Sequence, residues 1–270
     1  DTTLAVESNP LAPCGRGTLP RRLAASRRAL QWLTEQCEAL PAVRRLSGQT
    51  LKRQAVPQGG VVATGSSARQ ALPDGSIQLA LTDPPYFDDV QYGELARLFH
   101  AWLSVYMPVS AIDERQEAVP NVARGMTAQS YEAAIGECLT ETRRTLARNG
   151  RLVLTFHNTK MAAWQALAGA LHRAGFEVRA LAVVRAENAG DHCKQYAGSM
   201  LDDLVLECRA RGRRPVAPEL AFRPRTEPEK NLAAIGLALA VGARSGATSR
   251  LPEHYGAELQ RLGAKHRLVR

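Results

Sequence analysis

The stretch that most limits how this chain can fold is Ser76-Ile77-Gln78-Leu79-Ala80-Leu81-Thr82, followed at once by Asp83-Pro84-Pro85-Tyr86-Phe87. The first seven residues have the length and apolarity of a buried strand, and two consecutive prolines remove the backbone donors that would continue it. The strand must end at Asp83. Asp-Pro-Pro alone is ordinary turn chemistry, but a turn does not require the two rings that follow. A carboxylate, a rigidly aimed backbone carbonyl and an aromatic face at the carboxyl end of a strand stand where open α/β sheets place their ligand sites. Two acceptors beside a π-face suit an exocyclic amine on a planar base.

Around this stretch, strand and helix patterns alternate. Leu19 to Leu40 has helical spacing, Val61 to Thr64 reads as a strand, and Gly65-Ser66-Ser67 as its turn. The polar stretch Pro41 to Gly60 reads as a loop. Tyr92 to Met107 repeats Leu95, Leu98, Phe99, Trp102, Leu103 and Tyr106 at helical spacing, a stripe expected in the core. Residues 108–127 lack periodicity and form a candidate lid over a substrate, or a disordered loop. Tyr131 to Arg148 reads as a helix ended by Asn149-Gly150, and Arg151 to Asn158 as a strand ending in polar residues on the same sheet edge as Asp83. His157 and Asn158 are therefore candidate pocket residues, although a histidine at a strand end is more often structural. A helix over Met161 to Ala174 and strands over Glu177 to Ala186 and Leu204 to Cys208 complete the set. The pattern predicts an α/β fold with a doubly wound, Rossmann-like, mostly parallel sheet whose last strand pair is an antiparallel hairpin.

The tetrapeptide Asp83-Pro84-Pro85-Tyr86 resembles the signature of S-adenosylmethionine-dependent amino-methyltransferases, which methylate exocyclic nitrogens of adenine or cytosine in DNA, of guanine in some RNAs, and sometimes of glutamine. VVATGSSARQALPDGSIQLALTDPPY, YGELARLFHAWL and GRLVLTFHNTKMAAWQALAGALHRAGF are similar to adenine-specific DNA methylases, often from phage-defence clusters, whose longer members carry a zinc ribbon. The similarity spans roughly residues 1 to 210. It implies Asp83, Pro84, Pro85 and Tyr86 as catalytic residues, the Asp83 carboxylate and Pro84 carbonyl accepting the amine protons and Tyr86 stacking on the base. Phe87, His157 and Asn158 would join Tyr86 in the substrate pocket. It implies S-adenosylmethionine as cofactor, with Glu7 and Asn9 near its ribose, Gly65 and Ser66 at the adenine, and Asp83 close by; Ser66 stands where the family usually has Asp. Cytosine-specific relatives more often carry Ser in place of Asp83, which favours adenine. The family's glycine-rich first motif is absent, so the chain is expected to be a truncated product or one half of a split enzyme, with an upstream segment or partner supplying that motif. RNA guanine-N2 methylation, and a catalytically silent nucleic-acid-binding remnant, are the competing readings.

Composition bounds the rest. At 270 residues and 45% hydrophobic the chain can bury a full core. No uninterrupted apolar run is long enough for a membrane span. Five cysteines show neither a paired framework nor a Cys-x-x-Cys spacing, so reduced thiols in a cytosolic protein and no zinc site are expected. Of the net charge of +9, residues 209–270 hold +8, with 13 Lys and Arg against 5 Glu. The expected division is a methyltransferase domain over 1–209 and, over 210–270, a basic linker with two short helices near 231–241 and 253–262. Arg209, Arg211, Arg213, Arg214, Arg223 and Arg225 either contact phosphates or form a solvated extension.

Overall fold

The computed structural model describes residues 23–29, 31, 44–46, 61–63, 65–106, 109, 113–185 and 202–270. The chain divides into two compact units, the smaller drawn from residues 1–51 and 55–64 and the larger from 52–54 and 65–270. In the smaller unit, residues 23–29 are helical (α1), and β1 (Arg44–Leu46) pairs in parallel with β2 (Val61–Ala63). The first of these strands lies inside the stretch expected as a loop: Arg44-Arg45-Leu46 carries no apolar pattern long enough to signal a strand, and its pairing with Val61 onward is what defines it. The expected opening strand, with Glu7 and Asn9, falls outside the described residues.

The larger unit is a mixed α/β body. Its elements are β3 (Ile77–Thr82), α2 (Tyr92–Leu103), α3 (Ala128–Thr145), β4 (Leu146–Phe156), α4 (Met161–Arg173), β5 (Phe176–Arg185), β6 (Asp202–Ala210), β7 (Glu219–Leu220), α5 (Glu227–Ser245) and α6 (Leu251–Arg261). The five strands lie in the order β3-β4-β6-β5-β7. Only β6 runs against the others, antiparallel to both β4 and β5. The antiparallel β5–β6 pair is thus present, with β6 inserted between β4 and β5.

Alternation along the strands fixes the two faces. Leu152, Leu154 and Phe156 of β4 and Leu204, Leu206 and Cys208 of β6 are all fully buried, in register across the ladder as Leu154↔Leu206 and Phe156↔Leu204. They meet a helical layer in which α3 packs on α4 and α4 on α5. The opposite face carries Thr155 and Asp203, and at the sheet edge the exposed Leu79 and Leu81.

Helix boundaries follow their caps. Thr127 and Ser130 form a capping box at the start of α3, and Thr226 and Glu229 another at the start of α5. The third helix ends sooner than the Asn149-Gly150 signal predicts, running directly into β4 at Leu146. Gly150 serves a different purpose there: a Cβ on it would lie 2.9 Å from the Ile77 carbonyl oxygen, so the glycine permits the close approach of β3 to β4.

The region past Arg209 also departs from a linker with an appendage. Helices cover both expected stretches, but α5 extends beyond 231–241 at each end and buries Leu232, Ile235, Ala238 and Leu239 completely in the same core as the sheet. Asn231 ties in the final segment, donating to the carbonyls of Glu227 and His266 and accepting from the Leu268 amide at 3.0 Å and the Tyr255 hydroxyl. The aromatic stripe of α2 gives the reverse correction. Leu98, Phe99, Trp102 and Tyr106 are exposed rather than core, and the first turn of α2 is tied to the segment after it by polar contacts, Glu94–Arg124 and the Gly93 amide to Glu117.

Candidate active site

Topology brings three chain segments to one sheet edge. Parallel pairing aligns Thr82 of β3 with Leu154 of β4, so the residues after both strands leave side by side. Because β6 is antiparallel, its start, Asp202-Asp203, arrives at that same end, with Leu204 opposite Phe156. Asp83, His157 and Asp203 meet there.

The Asp83–Phe87 turn is held from below. Tyr131 of α3 donates its hydroxyl to the Pro85 carbonyl at 2.8 Å, and the Phe87 amide reaches the same oxygen at 2.9 Å. Burial pushes the Tyr131 hydroxyl far above the ordinary tyrosine range, so it remains a neutral donor. Asn158 donates its side-chain amide to the Tyr86 carbonyl at 3.0 Å and accepts from the Lys160 amide at 2.7 Å. The Asn158 carbonyl in turn accepts from the buried Trp164 indole at 2.9 Å. The turn ends at Phe87, whose φ of 64° is the one positive value on a non-glycine residue among those described. For a bulky side chain this is a strained conformation, retained while the ring is buried edge-on against Tyr131, centroids 5.1 Å apart.

Above the turn lies a polar network. Asp83 Oδ1 accepts hydroxyls from both Tyr86 and Thr155. The Tyr86 hydroxyl also lies 3.0 Å from Thr155 Oγ1 and 3.2 Å from Asp203 Oδ2. Asp203 Oδ1 is 2.5 Å from His157 Nδ1, and His157 Nε2 is 3.9 Å from Asp89 Oδ2. Burial first, and then the bond to Asp83, drive the Tyr86 hydroxyl well above the usual tyrosine range. Among the described residues the Pro84 carbonyl has no hydrogen-bond partner.

The expected residues lie in different surroundings. Asp83, Pro84, Tyr86 and His157 gather around one polar edge. Phe87, 6% exposed, and Asn158, 2% exposed, are buried supports of the turn rather than surfaces facing a substrate. The Tyr86 ring makes T-shaped contacts with Phe156 and with the His157 imidazole, centroids 5.4 and 4.5 Å away. Gly65 and Ser66 lie in an exposed turn where Ser66 Oγ accepts from the Ala68 amide at 3.2 Å. Their neighbour Ser67 instead lines a cleft of about 380 Å³ along β3, with Gln70, Thr82, Pro84, Ile135 and Cys138. Residues 113–127 of the expected lid form two short 3-10 turns tied to the start of α2, Gln91 Nε2 donating to the Pro120 carbonyl at 3.1 Å.

Sequence reasoning missed Thr155, Asp203 and Tyr131. Asp202-Asp203 did carry a signal, two carboxylates directly before the apolar run Leu204-Val205-Leu206. Thr155 and Tyr131 carried none, since a threonine in a strand and a tyrosine in a helix are what ordinary packing supplies.

No family's sequence profile matches this chain, and no curated protein does. Among solved structures it is similar to a putative DNA modification methylase from Thermus thermophilus, in two crystal structures. The selenomethionine derivative is 13% identical, covering 65% of this chain and 72% of that one, with a TM-score of 0.31. The other structure is 14% identical, covering 70% and 89%, with a TM-score of 0.29.

Proposed function

We propose that this chain transfers a methyl group from S-adenosylmethionine to an exocyclic amine of a nucleobase, N6 of adenine in DNA. The observation that carries the reading is the division of acceptors at the end of β3. Asp83 takes both hydroxyl bonds on one carboxylate oxygen, and the Pro84 carbonyl has no described partner, while the neighbouring Pro85 carbonyl is already occupied by Tyr131. One carboxylate oxygen and one rigid carbonyl are thus left to receive two N–H donors from a single amine.

An exocyclic amine is a poor nucleophile because its lone pair is delocalised into the ring. Accepting its hydrogens at Asp83 and Pro84 draws the nitrogen towards tetrahedral geometry and frees the lone pair to attack. Positioning and pre-organised charge are the main contributions of such a site. A base in duplex DNA has to leave the stack to reach it. The cleft beside Thr82 and Pro84 has the volume of a small-molecule site, roughly 300–1,000 Å³, with an apolar floor and Ser67, Gln70 and Thr82 among its walls. These three would hold the polar groups of the cofactor, which supplies an electrophilic methyl on a sulfonium. Asp83, Thr82 and Pro84 join the cleft to the acceptor pair.

The test is incubation of the full chain with methyl-labelled cofactor and unmethylated duplex DNA, ribosomal RNA serving as competitor. Label recovered as N6-methyladenine, lost in Asp83→Ala while calorimetric cofactor binding persists, is the expected result. Turnover retained in that variant rejects the mechanism, and label appearing only in RNA rejects the substrate.

A further inference from the structure

We infer that His157 and Asp203 are positioning residues that act on Asp83 through the hydroxyl of Tyr86. The inference rests on the methyl-transfer reading for its consequence in catalysis, but its geometry stands on the described side chains alone.

Tyr86 has one hydroxyl hydrogen and two carboxylates within reach. Asp83 Oδ1 is the closer acceptor, and Asp203 Oδ2 lies 3.2 Å from the same oxygen. The two acceptors compete for that hydrogen. Asp203 is 7% exposed, and a buried carboxylate without enough donors incurs a desolvation cost that hydrogen bonds must offset. His157 supplies the needed donor. With Nδ1 facing Asp203 Oδ1 at 2.5 Å, the imidazole carries its hydrogen on that nitrogen. Asp203 is then satisfied, and the Tyr86 hydroxyl stays on Asp83.

The consequence falls on the orientation of the Asp83 carboxylate. Two hydroxyls on Oδ1, from Tyr86 and Thr155, fix the plane of the group and turn Oδ2 towards whatever lies beyond the turn. Removing His157 leaves Asp203 to draw the Tyr86 hydroxyl to itself, so Asp83 loses one of two donors and its plane is free to rotate. Removing the Asp203 charge as well removes the competitor. This asymmetry separates positioning from a general structural role, because damage from losing His157 should be repaired by a second substitution at Asp203.

Two readouts on the full chain test it. The first needs no cofactor: the carbon-13 chemical shift of the Asp83 carboxylate, read at neutral pH. That signal responds to the hydrogens donated to the carboxylate, so His157→Ala should displace it in the same direction as Tyr86→Phe does. The two effects should not add, and Asp203→Asn should return the His157→Ala signal towards that of the wild type. Asp89 and Tyr92 also lie in this neighbourhood and are left intact, so their fields are common to every variant. An Asp83 carboxylate signal indifferent to His157→Ala, or fully additive displacements, would overturn the inference. The second readout is methyl transfer, where His157→Ala should lower kcat by roughly tenfold with KM unchanged, the scale of one weakened hydrogen bond, and Asp203→Asn should recover most of the loss. Wild-type chain that transfers no methyl while showing the coupled displacements of the Asp83 signal would reject the proposed reaction and leave the positioning network standing.

Discussion

The side-chain amide of Asn158 donates to the backbone carbonyl of Tyr86 at 3.0 Å, joining two strand ends that are 72 residues apart in sequence. Since Asn158 also accepts from Lys160 and its carbonyl from Trp164, one buried residue fastens the Asp83–Phe87 turn to the start of α4. Replacing it with Ala strands the Tyr86 carbonyl and the Lys160 amide. The expected cost is about 1–3 kcal/mol, the range for unsatisfied buried groups, read as a lower denaturation midpoint with unchanged slope. A midpoint equal to that of the wild type would mean that the turn is held by Tyr131 alone.

Phe87 gives a test of stored strain. Its φ of 64° costs a non-glycine residue about 1–2 kcal/mol, while glycine ordinarily destabilises relative to alanine by roughly 0.5–1 kcal/mol. At this position the order should invert. Both Phe87→Ala and Phe87→Gly lose the ring contact with Tyr131, but the glycine variant should be the more stable of the two in equilibrium unfolding. Alanine proving the more stable would show that the backbone relaxes out of the left-handed region once the ring is gone.

The strand–turn–strand frame of the site was legible because apolar runs and prolines are local signals. The end of β3 at Asp83, the polar end of β4, the helix at 161–173 and the middle of the helix at 227–245 follow from periodicity and turn signals. What was not legible depends on pairing. Nothing in Arg44-Arg45-Leu46 marks a strand before Val61-Val62-Ala63 is set beside it. The direction of Phe87 is decided by a backbone angle that no pattern encodes, so an aromatic residue beside Asp83-Pro84-Pro85-Tyr86 is expected in the pocket and lies in the core instead. Asp203 joins the site only because β6 is inserted antiparallel between β4 and β5. Gly150 illustrates the opposite error, a glycine in a stop-signal context whose actual role is close packing against Ile77.

Acid should loosen the start of α5. Glu227 is held below the usual carboxylate range chiefly by the Lys265 amide, with His266 and Lys230 adding to it, and Glu229 chiefly by the amides of Thr226 and Arg225. A carboxylate whose folded value is depressed contributes stability that is present above its unfolded value, near 4.3, and is lost as pH falls through the lower folded value. Glu227→Gln should therefore lower Tm at pH 7, and its deficit against the wild type should shrink as pH is taken down towards 3. A deficit constant with pH would show that the bonds to Lys265 and His266 do not depend on the charge.

The basic segment after Arg209 separates into two sets of arginines, and the separation decides between phosphate contact and mere solvation. Arg209 is paired with Glu207 at 3.1 Å, and Arg211 donates to the carbonyls of His172 and Arg244. Both are occupied within the fold. Arg213, Arg214, Arg223 and Arg225 are exposed, and among the described residues their guanidinium groups have no partner. If the segment meets duplex DNA, these four carry the contacts, each contributing about 0.9 to the slope of log affinity against log salt. Changing all four to Ala should reduce that slope by roughly 3 to 4 with little change in Tm. Arg211→Ala should do the reverse, lowering Tm through the lost carbonyl bonds while leaving the salt slope nearly intact. A slope unmoved by the fourfold change would assign these arginines to solvent and place any nucleic-acid contact elsewhere on the chain.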